Sequence, residues 1–315
     1  MALLGIARLA SLAPPLALKR DVTYAHLPTR TWINRVSGSR VHFEWSINPY
    51  RGCEFGCKYC YARYAHEFME LRQPEDFEKR IFAKQFSPIA FRKELLSIPL
   101  DDHVAIGTAT DPYQPAERRF RLTRRMLEVM AEERGRHLSV TTKSDLVARD
   151  ADLLARIARF NVVNVNITVT TMDAPLARLL EPRAPRPDLR IRAVRELAGR
   201  GVAVGIGVRP VIPCINDSAA SLAEIARAGA AAGARYFGGG VLFLKPCASQ
   251  VFLPFLEREF PELVERYRKQ YAKSAYLEGL YPEAIERRLE AARKEARLER
   301  RPVEYQPEPA QLTLF

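Results

Sequence analysis

Asn48-Pro49-Tyr50-Arg51-Gly52-Cys53-Glu54-Phe55-Gly56-Cys57-Lys58-Tyr59-Cys60-Tyr61 is the stretch on which the reading of this chain turns. Three of the five cysteines fall in it, spaced C-x3-C-x2-C. Such short spacings let one loop bring several thiolates to a metal centre. Three thiolates are one ligand short of a closed four-ligand site. One metal position therefore stays open for a substrate or cofactor. A three-thiolate zinc site completed by His42 or His66 is the competing reading. Zinc motifs more often come as two separated Cys/His pairs, and no second pair follows here.

Working outward, residues 41–48 (Val-His-Phe-Glu-Trp-Ser-Ile-Asn) alternate as a strand does, and Pro49 and Gly52 end it. A short helix is expected over 61–71, and residues 72–87 read as polar and irregular. Pro88 opens a helix to about Ser97, with Ile89, Leu95 and Leu96 as its apolar members. Further strands are expected at 103–110, 138–143, 162–170, 202–208 and 235–244. Helices are expected between them: 117–134, a helix N-capped by Asp150 and running to Phe160, 189–200, and 218–232 capped by Asp217. Pro210 and Pro213 are expected to break the fifth strand. Gly238-Gly239-Gly240 inside the sixth marks a bulge or a close backbone approach. Six strands alternating with helices predict a mostly parallel sheet. Six units are too few for a closed eight-stranded barrel but fit a partial (β/α)6 TIM-like barrel.

The expected layout is an N-terminal extension over 1–40, packed on the core or mobile, and a core domain over 41–245. Over 246–315 come charged C-terminal helices with solvated faces and a Pro/Gln-rich tail, in which Leu312 and Phe315 are candidate docking residues. The chain has 315 residues, of which 47% are hydrophobic and 27% charged, ordinary for a globular protein. An odd cysteine count with three in one motif excludes a secreted disulfide framework. No apolar run approaches the ~18 residues of a membrane span. No Lys or Arg precedes Arg8, so the start does not read as a signal peptide. A cytoplasmic, reducing setting is the expectation. The net charge of +12 makes a nucleic acid a possible partner, although the basic residues are spread along helices.

The Cys-x3-Cys-x-aromatic-Cys pattern resembles the signature of the radical S-adenosylmethionine (SAM) enzymes. The resemblance implies a [4Fe-4S] cluster held by Cys53, Cys57 and Cys60, SAM on the fourth iron, and Tyr59 beside the adenine. It also implies an external one-electron reductant of the flavodoxin or ferredoxin kind. Residues 48–53 (Asn-Pro-Tyr-Arg-Gly-Cys), 108–117 (Thr-Ala-Thr-Asp-Pro-Tyr-Gln-Pro-Ala-Glu), 141–144 (Thr-Thr-Lys-Ser) and 210–218 (Pro-Val-Ile-Pro-Cys-Ile-Asn-Asp-Ser) are similar to uncharacterised bacterial members grouped near spore photoproduct lyase. The likeness spans about residues 41–245.

Lys143, after the third strand, is the candidate partner of the SAM carboxylate, as a lysine in a Thr-Lys context is in that group. Thr108, Thr110 and Asp111 are candidates for the SAM ammonium, and Asp111 reads equally as a turn cap before Pro112. Thr168 and Thr170 are candidates for the ribose hydroxyls, or serve only as strand formers. Cys214 and Cys247 follow the fifth and sixth strands. They are candidate hydrogen-atom donors, or small buried apolar residues. Spore photoproduct lyases carry a donor cysteine at the second strand, and residues 107–110 (Gly-Thr-Ala-Thr) have none, which puts DNA photoproduct repair in doubt. The expected activity is reductive SAM cleavage, with the radical taking hydrogen from an unknown substrate, a lyase-like reaction being one form it could take. The alternative is a zinc-containing nucleic-acid-binding protein without radical chemistry.

Overall fold

The structure, a computed structural model, describes residues 3–19, 21–37 and 41–300. In chain order the strands are β1 (Pro15–Lys19), β2 (Val22–Leu27), β3 (Ile33–Arg35), β4 (Trp45–Ile47), β5 (Tyr50–Arg51), β6 (Arg80–Lys84), β7 (His103–Ile106), β8 (His137–Thr142), β9 (Val162–Thr168), β10 (Ala203–Val211) and β11 (Tyr236–Val241). They form a seven-stranded sheet in the order β11-β10-β9-β8-β7-β4-β3 and a four-stranded sheet in the order β1-β2-β6-β5.

In the larger sheet β4 and β7 through β11 are all parallel, and only β3, at the edge, is antiparallel. Parallel neighbours need long crossovers, and helices over 88–96, 115–130, 151–158, 187–199 and 219–231 provide them. This is the six-unit partial (β/α)6 barrel. Among the described residues no pairing joins β11 to β3, so the barrel stays open. Val104, Val140, Val163, Val165, Ile167, Val204 and Val208 are buried in the core that joins the sheet to its helices. They alternate along the strands with polar or small residues, as the period of two requires.

β5 lies between Asn48 and the first cysteine, and it pairs with β6 in the smaller sheet. The cysteine loop is thus anchored to both sheets. Residues expected as an N-terminal extension supply strands to each: β1 and β2 to the smaller sheet, β3 to the larger.

Several local expectations are corrected. The first strand is shorter, because only Trp45–Ile47 pairs with β7. Residues 80–84, read as irregular, form β6; Ile81, Phe82, Ala83 and Lys84 are all buried, so both faces are covered and no alternation shows. Ile89 and Leu96 face solvent, whereas Phe91 and Leu95 are the buried members of their helix. The helix expected over 117–134 breaks at Arg121, which adopts a left-handed φ of 52°. Asp150 caps no helix; it receives ion pairs from Arg124 and Arg149. Ser218, not Asp217, caps the helix at 219–231. β10 runs through Pro210 to Val211, and the Arg209–Pro210 bond is cis.

Helices at 246–259, 264–270 and 280–296 follow β11. Phe252, Phe255, Leu256 and Tyr267 pack with Phe55, Tyr59 and Leu180 under the cysteine loop. Ile285, Leu289 and Ala292 join the main core. These helices are solvated on one side only. The tail from Pro302, with Leu312 and Phe315, lies outside the described residues.

Candidate active site

The cysteine loop is held by backbone bonds to distant segments. Cys53 N donates to Phe77 O (2.8 Å), Lys58 N to Leu180 O (2.9 Å), and Arg183 N to Phe55 O (3.1 Å). Gln114 braces its start: Glu54 N donates to Gln114 Oε1 (3.0 Å), and Gln114 Nε2 donates to Gly52 O (2.9 Å) and Thr110 Oγ1 (2.9 Å). Arg63 donates to Cys57 O (3.2 Å) and to Glu78 (2.6 Å). Gly52 has φ +82°, and a Cβ there would stand 2.8 Å from the carbonyls of Phe77 and Arg80. Only glycine meets both demands.

Cys53, Cys57 and Cys60 line one cavity of about 330 Å³ at the C-terminal ends of the parallel strands. Thr108, Thr110, Asp111, Lys143 and Thr168 line the same cavity. All five come from the ends of β7, β8 and β9, the face on which barrel folds build their active sites. Among the described residues, no three His, Cys, Asp or Glu side chains converge on a point where they could hold a single ion. Burial pushes all three thiols up, Cys57 to about 12 against the pull of Lys143. A thiolate in such surroundings requires positive charge beside it.

The strand ends are tied together by side chains. Asn48 donates to Thr108 Oγ1 (3.1 Å) and accepts from Ala109 N (2.8 Å), joining β4 to β7. Asp111 accepts from Thr142 Oγ1 (2.6 Å), Lys143 N (2.7 Å) and Tyr113 N (2.9 Å), joining β7 to β8. Its carboxylate therefore makes the turn and fixes the backbone at Lys143. Gly107 allows the approach: at φ +88°, a Cβ would lie 2.5 Å from Thr141 O.

Beneath the cavity lies a buried charge group that sequence reasoning missed. Glu181 pairs with Arg190 at 2.5 Å, and accepts from Tyr59 Oη and from Thr170 Oγ1 (3.1 Å). Arg190 also donates to Thr168 O (3.1 Å) and Pro185 O (2.8 Å). Burial opposes the charge on Glu181, but Arg190 and Lys143 hold its carboxyl below the usual range. Burial likewise opposes the charge on Lys143, yet Cys57 and Glu181 hold the ammonium above its ordinary value. Lys143 Nζ stands 5.7 Å from the centroid of the Tyr59 ring.

The other candidates are placed differently. Tyr59 is buried and does not line the cavity; its hydroxyl is committed to Glu181. Thr170 also binds Glu181. Cys214 is exposed on a left-handed turn at φ 62°, away from the cavity. Cys247 is buried behind Tyr61, donating to its carbonyl at 3.4 Å, and does not line the cavity either. β10 continues past the point expected, so the chain after it turns away before Cys214. Of the two zinc-ligand candidates, His66 has Nε2 against Arg80 O (2.9 Å), packs on Phe77, and neither it nor His42 lines the cavity. Arg209, which sequence reasoning did not single out, does line it. The signal for it was a lone cation at a strand end.

Residues 47–226 match the family model described as the radical SAM superfamily. The chain belongs to the radical SAM superfamily. An uncharacterised protein of Mycobacterium tuberculosis is 32% identical over 302 residues, covering 93% of this chain and 88% of that protein. An uncharacterised protein of Methanocaldococcus jannaschii is 28% identical over 239 residues, covering 75% of this chain and 83% of that one. Among solved structures, a spore photoproduct lyase variant with bound AdoMet and dinucleoside spore photoproduct matches with a TM-score of 0.60 at 16% identity, over 80% of this chain and 74% of that one. At that identity the likeness carries the fold alone. As a radical SAM enzyme, the protein has a [4Fe-4S] cluster and SAM implied as cofactors. Its donor set fits them: the buried Cys53 and Cys57 and the half-buried Cys60 face one cavity, with room left beside them and a lysine ammonium at its wall. Among the described residues no helix is long and apolar enough to cross a membrane.

Proposed function

We propose that this radical SAM enzyme cleaves SAM reductively at the strand-end cavity and takes a hydrogen atom from a substrate held beside it. The observation that carries this reading is the meeting of Cys53, Cys57, Cys60 and Lys143 on one cavity. When bound, the cluster supplies one electron to the SAM sulfonium, giving methionine and a 5′-deoxyadenosyl radical. Cys53, Cys57 and Cys60 would hold the cluster, and the room beside them in the cavity would leave SAM access to it. Lys143 receives the SAM carboxylate; Arg190 neutralises Glu181 and so leaves the lysine's charge for that ligand. Tyr59, pinned by Glu181, keeps the loop between Cys57 and Cys60 fixed beneath the cavity. Thr108 and Thr110 offer oxygens to the SAM ammonium, Asp111 holds their strand end against Lys143, and Thr168 reaches toward the ribose. An external one-electron donor and a reducing, cytoplasmic setting belong to the same reading.

The test is anaerobic reconstitution with iron and sulfide, reduction, and assay for methionine and 5′-deoxyadenosine. The expected result is SAM cleavage that disappears in Cys53→Ala, Cys57→Ala or Cys60→Ala. A fully loaded, reduced protein that leaves SAM intact sinks the reading.

A further inference from the structure

A barrel strand ordinarily turns branched apolar side chains inward. The concave face of this sheet does otherwise. On β9, Asn164, Asn166 and Thr168 alternate with the buried Val163, Val165 and Ile167. Asn166 stands in register with Thr141 of β8 and Gly205 of β10, and Thr168 with Gly207. A cavity of about 440 Å³ runs along this face. It shares Thr141, Thr168 and Arg209 with the active-site cavity, so the two adjoin.

Among the described residues, the carboxamides of Asn164 and Asn166 have no hydrogen-bond partner, and Arg209 pairs with no carboxylate. Each carboxamide offers a donor and an acceptor together, the arrangement that reads a base edge in bidentate fashion. The neighbouring strands β10 and β11 are bare there. Beyond its chain neighbours, a Cβ on Gly207 would meet only the Arg209 side chain at 3.9 Å, and one on Gly238 only Arg300 O at 3.8 Å. Bare backbone leaves a slot for a flat ring. Tyr236 forms the floor: its ring covers Gly205, and its hydroxyl donates to Val165 O (3.0 Å). Arg209, at the junction, is an unclaimed guanidinium suited to a phosphate. At the far end Glu286 is paired to Arg293 (3.1 Å) and Arg300 (3.3 Å), and these three side chains bound the cavity there. A space of this size holds a monomer rather than a strand.

We propose that this lumen binds a nucleoside monophosphate as the substrate, with the base edge on Asn164 and Asn166 and the phosphate on Arg209. The sugar then lies near Thr141 and Thr168, facing the cavity assigned to SAM. As a substrate assignment this rests on the radical SAM reading above; as a binding site it does not.

Calorimetric titration of the full chain, before and after cluster reconstitution, tests it. The probes are uridine, cytidine and guanosine 5′-monophosphates, with uridine alone and ribose 5-phosphate as half-ligands, all in the presence of SAM. At least one nucleotide is expected to bind tenfold or more tightly than either half. Arg209→Gln reduces that nucleotide to the affinity of its nucleoside, Asn166→Leu weakens it at least tenfold, and Gly207→Val, whose added methyls enter open space, abolishes it. The proposal is overturned if ribose 5-phosphate binds as well as every nucleotide, or if Asn166→Leu and Gly207→Val, with wild-type melting curves, bind as the wild type does. A chain that binds the nucleotide and never cleaves SAM overturns the radical reading and leaves the lumen assignment standing.

Discussion

Lys143 owes its position to Asp111, which fixes the backbone N–H of the lysine itself. It owes its charge to Cys57 and Glu181. Hydrogen bonds to charged groups contribute about 1.5–3 kcal/mol, so Lys143→Ala is expected to weaken SAM binding roughly ten- to hundredfold. SAM titration at equal iron content checks this, and Lys143→Arg should recover part of the loss. Glu181 behaves differently, because its partner is Arg190 at 1% exposure. Removing one partner of a buried pair costs about 3–5 kcal/mol, so Glu181→Gln should lower stability by that order in denaturant unfolding, whereas Glu181→Gln with Arg190→Met recovers much of it. His66 supplies a pH signature. Burial, with Arg51, Arg63 and Arg80 adding to it, lowers its pKa to about 4, while its bond to Arg80 O opposes the shift. A depressed histidine pKa contributes stability above the unfolded value near 6.5, and loses it as pH falls toward 4. Between about pH 7 and pH 5 that loss is on the order of 2 kcal/mol, and His66→Gln should abolish this part of the acid sensitivity in melting experiments.

At the scale of elements, the turns after β5 and β7 admit no side chain. Gly107→Ala forces a Cβ to within 2.5 Å of Thr141 O at a φ of +88°. Strain of this kind costs about 1–3 kcal/mol, and it displaces the segment that carries Thr108 to Asp111. The expected outcome is a lower melting temperature together with weaker SAM binding; a variant with wild-type values of both would contradict the strand-end account. The six β/α units were legible because alternation and proline positions mark them. β6 was not, since a strand buried on both faces shows no period. Arg121 hid a break inside a continuous helical pattern, because a left-handed arginine has no signature in composition. The cysteine triplet, Lys143 and the Thr108–Asp111 segment were legible because each sits just past a strand. Glu181 and Arg190 were not, as their pairing depends on how a Pro/Arg-rich turn folds back. The Asn/Val alternation of β9 was present in the chain, and its meaning emerged only once the inner face was known to be a cavity.

For the whole molecule, the matched region at 47–226 ends before β11 and the helices beyond it. Those helices bury Phe252, Phe255 and Tyr267 against the cysteine loop and Leu289 against the main core. Glu299 also bonds to Phe237 N of β11 (2.9 Å). A fragment of residues 41–245 would expose both faces and lack β1 to β3. It is therefore expected to show no cooperative unfolding transition, whereas residues 1–300 should unfold in one.

The bonds that hold the cysteine loop also set an order of events in the life of the chain. Its backbone partners are Phe77, Leu180 and Arg183, with Gln114 as a side-chain brace. When the ribosome has just released Cys60, none of these has been made. The cup for iron is complete only once more than half of the polypeptide has emerged and folded. Iron and sulfide are thus expected to reach this loop only after the chain through Arg183 has emerged and folded around it.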